Sequence, residues 1–308
     1  MKNTRMITEG ALMAAIATVI IILGLFIPII GQILLLFSPL PFIIFTIRYG
    51  LKAGILLSAV TIILTILITG IASILVAFLG SCLGVVMGEL YRRKKQPLAV
   101  LLGGSLTVIF FTLLSFIISI VVLEINPVEM AVELQKESVQ LAEQYISADE
   151  EQIQQLYNMI EIIPKLITTA IIGASILIAL LVQVVCRPIL KRMGFEIPPL
   201  PSFRDWKFPK VFIWYYLIVV ILRMVGFEQG TTMDIITLNL YMLLTGVMVI
   251  QGASFVFYYC HVKKLAKILP NLVIVLIFIL PGVYNVVQIL GIIDLGFQLR
   301  NKIKAKLE

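Results

Sequence analysis

The sequence has few charged residues. Only 13% of its 308 residues are Asp, Glu, Lys or Arg, about half of the rough quarter that soluble domains carry. This shortage argues against a soluble enzyme, a disordered protein and a nucleic-acid-binding domain. Hydrophobic residues make up 60% of the chain, and such an excess is expected where lipid replaces water around much of the surface. We therefore predict an all-α, polytopic membrane protein that lies in the lipid bilayer.

Residues that build reactive sites are also scarce. The chain has one histidine, His261, and three widely separated cysteines, Cys82, Cys186 and Cys260, so the ligand pattern of a structural zinc site is missing. It contains no Walker A loop, no GxSxG and no HExxH motif, and no predicted span holds two carboxylates. We therefore expect no catalytic residue, no metal and no cofactor, and a protein that is not an enzyme.

Eight apolar runs are long enough to cross roughly 30 Å of hydrocarbon as helices. They cover residues 7–30, 32–48, 51–69, 71–91, 98–123, 164–186, 210–226 and 234–260. A further apolar stretch, 269–299, is interrupted at Pro281-Gly282. Because proline breaks or kinks a helix, this stretch is either one long tilted helix or two shorter pieces. The sequence thus predicts about eight or nine transmembrane helices.

The basic residues predict the orientation of the chain. Of the 24 Lys and Arg residues, 21 fall at the chain ends or in turns that alternate crossings place on one face. That face is expected to be cytoplasmic, because Lys and Arg accumulate there. We favour cytoplasmic N- and C-termini, with 269–299 entering the membrane and returning. On this interpretation the net charge of +7 results from the Lys and Arg residues on the cytoplasmic face. It does not indicate a nucleic acid partner.

One segment, 124–161, is acidic. It holds nine of the 17 acidic residues and one base, so it carries −8 while the rest of the chain carries +15. Asn126-Pro127 is typical of a helix N-cap followed by proline at the first helical position. Ser147 and Glu150 have capping-box spacing. We predict two amphipathic helices in an external hairpin, which is either a lid or docking surface, or a solvated cap on the spans.

The chain therefore divides into three predicted parts. Residues 1–123 form an N-terminal bundle of five spans, 124–163 the acidic external hairpin, and 164–308 a C-terminal bundle with a basic cytoplasmic tail. A ligand pocket is expected to open toward the outer face between the spans, beneath the hairpin. This arrangement would place the acidic helices over the mouth of the pocket.

Small residues form stripes on two predicted helices. The positions are Gly80, Gly84 and Gly88 in the fourth span, and Ala11, Ala14 and Ala15 in the first. Small side chains four residues apart share a helix face and let a second backbone approach closely in lipid. We interpret the glycines as helix-packing positions. The alanines are either packing positions or candidates for docking a partner.

Polar and helix-breaking residues inside apolar spans are candidates for a ligand pocket, because such residues are costly in lipid. They are Pro39, Pro41, Asn239, Gln251, Asn285, Gln288 and Asp294. Asn285 and Gln288 are spaced i, i+3 and are expected to face one cavity. Asp294 stands shortly before Arg300. An alternative interpretation is therefore that these two residues form a charged pair on a helix at the membrane interface. The two prolines are also compatible with a kinked helix whose free backbone groups form hydrogen bonds with neighbouring helices.

Four segments carry a resemblance to a known family. They are TEGALMAAIATVI, SFRDWKFP, VIQGASFVFYY and LGIIDLGFQLRNK. In these segments, and along nearly its full length, the chain resembles the YybS family of bacterial multi-spanning membrane proteins of unknown function. The resemblance implies a multi-pass protein of the bacterial cell membrane.

Residues 7–90 are also similar to the front of the S components, the substrate-binding subunits of energy-coupling-factor transporters. The pattern is an alanine-rich first helix, the run IGQILLLFSPLPFIIFTIRYGLKAG and a glycine-rich helix. The resemblance implies an S-component-like core whose first-helix residues, here Ala11 and Ala15, contact a transmembrane coupling subunit that works with ATPases. It thus implies an unknown small-molecule ligand and a binding or transport-associated function without an ATPase in this chain. The alternative is a non-transporting scaffold or regulatory protein that acts through its loops.

Overall fold

A computed structural model describes residues 2–145, 150–266 and 268–305. In this part of the chain the backbone is mainly helical and forms no β-strand. Many large apolar side chains are exposed, among them Phe278, Ile29 and Met224 at 86%, 83% and 81%. So much exposed apolar surface is unfavourable in water and is accommodated by lipid. The predicted all-α membrane architecture is confirmed.

Fourteen α-helices occur in the described residues. The first six are α1 Lys2–Phe26, α2 Ile30–Leu35, α3 Leu40–Tyr49, α4 Leu51–Thr69, α5 Ile74–Arg92 and α6 Pro97–Val121. The next three are α7 Pro127–Tyr145, α8 Glu150–Ile162 and α9 Ile167–Arg192. The last five are α10 Val211–Val225, α11 Thr232–Val262, α12 Ile268–Ile279, α13 Pro281–Phe297 and α14 Leu299–Ala305.

Seven helical segments of the described chain are long and apolar enough to cross a membrane, or eight if α12 and α13 count as one broken span. Helices α12 and α13 meet at a bend of 118°, so the stretch 269–299 is two helices and not one long tilted helix.

The predicted span at 210–226 is shorter than expected. Helix α10 has 15 residues and ends where Gly226 takes a φ of +76°, so it is about 22 Å long. Seven or eight qualifying spans overlap the predicted eight or nine only at eight.

The chain forms two compact units. The first contains Met1–Ala131 and Ala170–Leu200, and the second contains Val132–Thr169 and Pro201–Glu308. This division differs from the three predicted parts, because most of α9 packs with the N-terminal helices. Gln183 of α9 donates a hydrogen bond to the Pro97 carbonyl at 3.1 Å. Helix α9 follows the acidic segment in sequence, and only this packing assigns it to the first unit.

The glycine stripe of α5 packs against α3 in the first unit. A Cβ added at Gly84 would lie 2.7 Å from Phe42 Cβ, and one at Gly88 would lie 2.9 Å from the Ile43 carbonyl oxygen. Gly80 faces the Ser38 side chain in the same way. The three glycines therefore let two helices of the same chain approach closely.

The acidic segment is helical at α7 and α8. Asn126 caps α7, because its Oδ1 accepts a hydrogen bond from Val128 N at 3.1 Å, and this predicted N-cap is confirmed. Side chains of intermediate burial recur along one face of α7, at Val128, Val132, Val139 and Ala142. The predicted capping box begins at Ser147, which lies outside the described residues.

Candidate functional site

Two charged residues near the end of the chain form a buried ion pair in the second unit. Helix α13 is followed by Gln298, which adopts a left-handed conformation with a φ of +51°, so α14 starts in a new direction. This turn brings Arg300 Nε to 2.9 Å from Asp294 Oδ2. The two side chains are 9% and 1% exposed. The pair is therefore enclosed by protein.

Arg300 uses its other nitrogens to hold a loop and a helix. Nη1 donates to the Arg204 carbonyl at 2.7 Å, and Nη2 donates to Ser254 Oγ at 3.1 Å. The guanidinium carbon lies 5.5 Å from the centre of the Tyr258 ring, which is within cation–π range. A buried charge is tolerated when it is paired and its donors are satisfied, and these contacts meet both conditions.

Gln251 of α11 connects the ion pair to the loop before α10. Its Nε2 donates to Asp294 Oδ2, and its Oε1 accepts a hydrogen bond from Phe208 N at 3.0 Å. The side chain is 0% exposed. Both ends of the amide are thus engaged, which is the usual condition for burying such a group.

Ser254, one helical turn further along α11, holds the same loop. Its Oγ lies 2.7 Å from the Phe203 carbonyl and 2.8 Å from the Trp206 carbonyl, and its single proton is donated to one of them at a time. We call the following four residues the buried polar network: Gln251, Ser254, Asp294 and Arg300. Together they fix the loop SFRDWKF against α11 and the segment that follows α13.

Helices α11 and α13 cross at two glycines. Gly252 faces the Val287 carbonyl, and Gly291 faces the Met248 carbonyl. A Cβ at either glycine would overlap these backbone atoms, so the helices approach closely only because both positions lack a side chain. The crossing brings the polar side chains of α11 within hydrogen-bond reach of α13.

A pocket of about 500 Å³ lies between the end of α11 and the start of α12. Its polar wall contains Arg204, His261, Lys264 and Asn271, and Phe257 is part of its apolar wall. Arg204 also touches the buried polar network through its carbonyl. The pocket lies at the basic end of α11, whereas the sequence predicted one beneath the acidic segment.

The first unit has an apolar groove of about 240 Å³ between α1 and α4. Ala11 lines this groove, and Ala11 and Ala15 are both exposed. Ala14 is 2% exposed and packs in the core with Phe42 and Phe45. The stripe of three alanines is therefore divided between the outer surface of α1 and the core.

A family profile described as "Predicted membrane protein (DUF2232)" matches residues 15–295. The chain belongs to the DUF2232 family. A relative from Bacillus subtilis (strain 168), "Uncharacterized protein YybS", is 34% identical over 310 residues, which cover 99% of this DUF2232 chain and 100% of the relative. The resemblance to the YybS family is thus confirmed, and neither description refers to S components. No solved structure matches the chain.

In this DUF2232 protein, Pro39 and Pro41 form the start of a helix. Pro39 is the N-cap residue of α3, and Pro41 lies in its first turn, where backbone N–H groups have no partner within the helix. Pro41 is buried, and the Pro39 carbonyl lies against Gly84 of α5. The prolines therefore end one helix and start the next at little cost in hydrogen bonds. They belong to the first unit, whereas the buried polar network belongs to the second.

Asn239 joins α11 to the start of α9. Its Nδ2 donates to the carbonyls of Lys165 and Ile235 at 2.6 Å and 2.8 Å. Its Oδ1 accepts from the backbone N and the Oγ1 of Thr169 at 2.9 Å and 2.7 Å. An amide side chain has two donor and two acceptor positions, so this pocket candidate has no free group to offer a ligand.

Asn285 and Gln288 have different surroundings on α13. Gln288 Nε2 donates to the Tyr216 hydroxyl of α10 at 2.7 Å, whereas Asn285 is exposed. Residues spaced i, i+3 are separated by about 60° around a helix. That angle is enough for α10 to cover one side chain and leave the other outside.

Several residues of the buried polar network and of the helix crossing carry little or no signal in the sequence. Ser254 carries a signal in the sequence, because it stands i, i+3 from Gln251 and so shares its helix face. For Arg300 the sequence offers only its nearness to Asp294. Gly252 and Gly291 are far apart in sequence, and nothing local predicts that they meet.

Proposed function

We propose that this protein is a non-catalytic membrane subunit that docks a transmembrane helix of a partner on α1. The supporting observation is the exposure of Ala11 and Ala15 on α1, where Ala11 lines the groove against α4. Larger side chains border the groove or the stripe. They are Ile7, Leu12 and Leu56, which are 67%, 57% and 62% exposed. Small residues between larger ones form a depression that suits a helix.

The physics of helix association in lipid favours this surface. Lipid tails are as apolar as leucine, so helices gain little from hiding apolar side chains and associate through close packing. Alanine allows closer approach than the larger side chains around it. The core-facing alanine of the same stripe, Ala14, already packs in this way inside the unit.

We propose that such docking serves a transport-associated function without an ATPase in this chain. The sequence has no Walker A motif, so energy for moving a ligand would come from ATPases that act through the partner. The sequence pattern of residues 7–90, read as similar to the S components, implies contact with a coupling subunit through small residues of the first helix. We propose the same arrangement here, with a small molecule as the ligand.

Replacing Ala11 and Ala15 together with tryptophan is expected to lower co-purification of the partner at least about tenfold, because two indoles would fill the depression. The tagged full-length protein would be purified gently from its native membrane, and bound membrane proteins would be quantified by mass spectrometry. The control is Leu106→Trp on α6, at a position that is 65% exposed. A complex that survives the double tryptophan variant would show that docking does not use α1.

We also propose that both chain ends are cytoplasmic and that the acidic segment lies outside. A cysteine at Ser138 of α7 is then expected to react with a membrane-impermeant maleimide in intact cells, whereas a cysteine at Asn301 of α14 reacts only after permeabilisation. Both positions are exposed. Cys82 would be replaced by alanine, and Cys186 and Cys260 are buried. Labelling of Asn301→Cys in intact cells would place the tail outside.

The exposed apolar residues of α7 favour a second function, a scaffold that binds its partner through the acidic segment. Met130, Leu134 and Leu141 are 53%, 52% and 56% exposed on a helix that also carries many carboxylates. Apolar side chains on a solvated helix are typical of a protein-binding surface. A partner that stays bound to the double tryptophan variant and is lost when residues 127–162 are deleted would support the scaffold.

A further inference from the structure

We propose that the pocket between α11 and α12 binds a phosphate ester, a role that goes beyond docking a helix on α1. Its volume of about 500 Å³ is in the range of small-molecule sites. Arg204 and Lys264 supply positive charge, and His261 and Asn271 add further hydrogen-bonding groups. Among the described residues that line the pocket, none is acidic. This combination of donors matches the oxygens and the negative charge of a phosphate.

The pocket cations are only weakly neutralised by neighbouring acids. Asp205 Oδ2 lies 3.8 Å from Arg204 Nε, and the two side chains are 56% and 40% exposed. A long, exposed contact of this kind contributes little. Within the described residues Lys264 forms no ion pair. A bound phosphate would therefore gain charge-assisted hydrogen bonds without displacing a strong internal partner.

The backbone positions two of these side chains. Arg300 of the buried polar network donates to the Arg204 carbonyl at 2.7 Å, which fixes the loop at this residue. At the end of α11, Leu265 N donates to the Cys260 carbonyl at 2.9 Å, and Lys264 N donates to the His261 carbonyl at 3.1 Å. This is the Schellman pattern, and it occupies carbonyl groups that would otherwise repel an anion at the helix end.

A simpler explanation accounts for part of the cluster. Lysine at a helix C-terminus interacts favourably with the helix dipole, and Lys94 has the same left-handed conformation after α5 that Lys264 has after α11, with φ values of +52° and +54°. The dipole does not explain why Arg204, from a separate loop, and Asn271, from α12, line the same pocket as Lys264. Convergence of three segments on one cavity favours a ligand.

Two sources of the phosphate ester are compatible with the pocket, a lipid headgroup and a soluble phosphorylated molecule. Phe257 and Leu265 line the pocket, and Ile268 and Leu272 on the adjoining helix α12 are 72% and 49% exposed. These apolar side chains offer a surface for acyl chains next to the cations. We therefore favour an anionic lipid.

The test uses the full-length protein in a neutral detergent. Native mass spectrometry measures binding of phosphatidylglycerol against phosphatidylcholine, and calorimetry measures binding of inorganic phosphate. We expect phosphatidylglycerol to bind at least about tenfold more tightly than phosphatidylcholine. The variant Lys264→Gly is expected to weaken binding about tenfold, the usual effect of losing a charged hydrogen bond. Its thermal stability should be unchanged or higher, because glycine suits a φ of +54°.

Two control variants show whether lipid binding depends on the pocket or only on positive charge anywhere on the protein. Lys94→Gly makes the same change after α5 and is expected to leave lipid binding unaltered. Lys263→Ala removes a neighbouring charge that does not line the pocket and should have a much smaller effect than Lys264→Gly. Arg204→Gln supplies a second pocket variant with an expected loss like that of Lys264→Gly.

Each outcome decides the proposal. Selective binding of phosphatidylglycerol that depends on Lys264 and Arg204 supports a lipid ligand, and binding of inorganic phosphate with the same dependence supports a soluble phosphate ester. Absence of binding of either probe would overturn the proposal, as would equal losses in Lys263→Ala and Lys264→Gly. These results are independent of the tryptophan test of α1, because the two sets of residues lie in different units.

Discussion

The variant Arg300→Gln is expected to lower the free energy of unfolding by about 3–5 kcal/mol, the usual effect of removing one partner of a buried ion pair. Asp294 is 1% exposed, so without the guanidinium its carboxylate would be left in the protein interior with only the Gln251 amide as a described side-chain partner. The loop at Arg204 would also lose its hydrogen bond from Arg300. Unfolding of the purified protein by heat or denaturant in detergent measures the loss.

Two further variants show whether burial causes the effect of Arg300→Gln. The double variant Asp294→Asn with Arg300→Gln should be less destabilised than Arg300→Gln alone, because no unpaired charge remains inside. Arg5→Gln removes an ion pair to Glu9 in which Arg5 is 79% exposed, and it should change stability very little. A loss in Arg300→Gln no larger than that in Arg5→Gln would mean that Arg300 and Asp294 are not buried together.

The buried ion pair shows where prediction from the sequence stops. The sequence marks Asp294 as a pocket candidate with Arg300 nearby, but their spacing is not one that a continuous helix would bring onto one face. The contact exists because the chain turns at Gln298, where φ is +51°. Glutamine gives no sign of a left-handed turn, whereas glycine at that position would have predicted one.

Local features were easier to predict. The cap of α7 at Asn126 and the interruption before α13 at Pro281 depend on a residue and its immediate neighbours. The opposite roles of Asn285 and Gln288 depend on which side of α13 meets α10. Helical periodicity alone places them within about 60° of each other and does not locate the edge of the neighbouring helix.

The variant Gly252→Ala is expected to destabilise the protein by about 1–3 kcal/mol, as overpacking of a tight core does. The added methyl group would overlap the Val287 carbonyl of α13 and come within 3.0 Å of Gly291 N. These are backbone atoms, so the clash is relieved only if the two helices separate. The separation would also stretch the hydrogen bond from Gln251 to Asp294.

Gly246→Ala is the matched control, because it makes the same change on α11 at a glycine whose added Cβ would meet open space. There the higher helix propensity of alanine is expected to stabilise the protein by up to about 1 kcal/mol. The two variants should therefore shift the unfolding transition in opposite directions. A stabilising effect of Gly252→Ala would contradict the close crossing of α11 and α13.

The double variant Gly252→Ala with Gly291→Ala tests whether the two glycines form one contact. Both added methyl groups act at the same crossing, since Gly252 would meet Val287 and Gly291 would meet Met248 on the opposite helix. Once one methyl group has pushed the helices apart, the second has less to displace. The combined loss should then be smaller than the sum of the two single losses, as expected for neighbouring sites. Additive losses would mean that each glycine is accommodated separately.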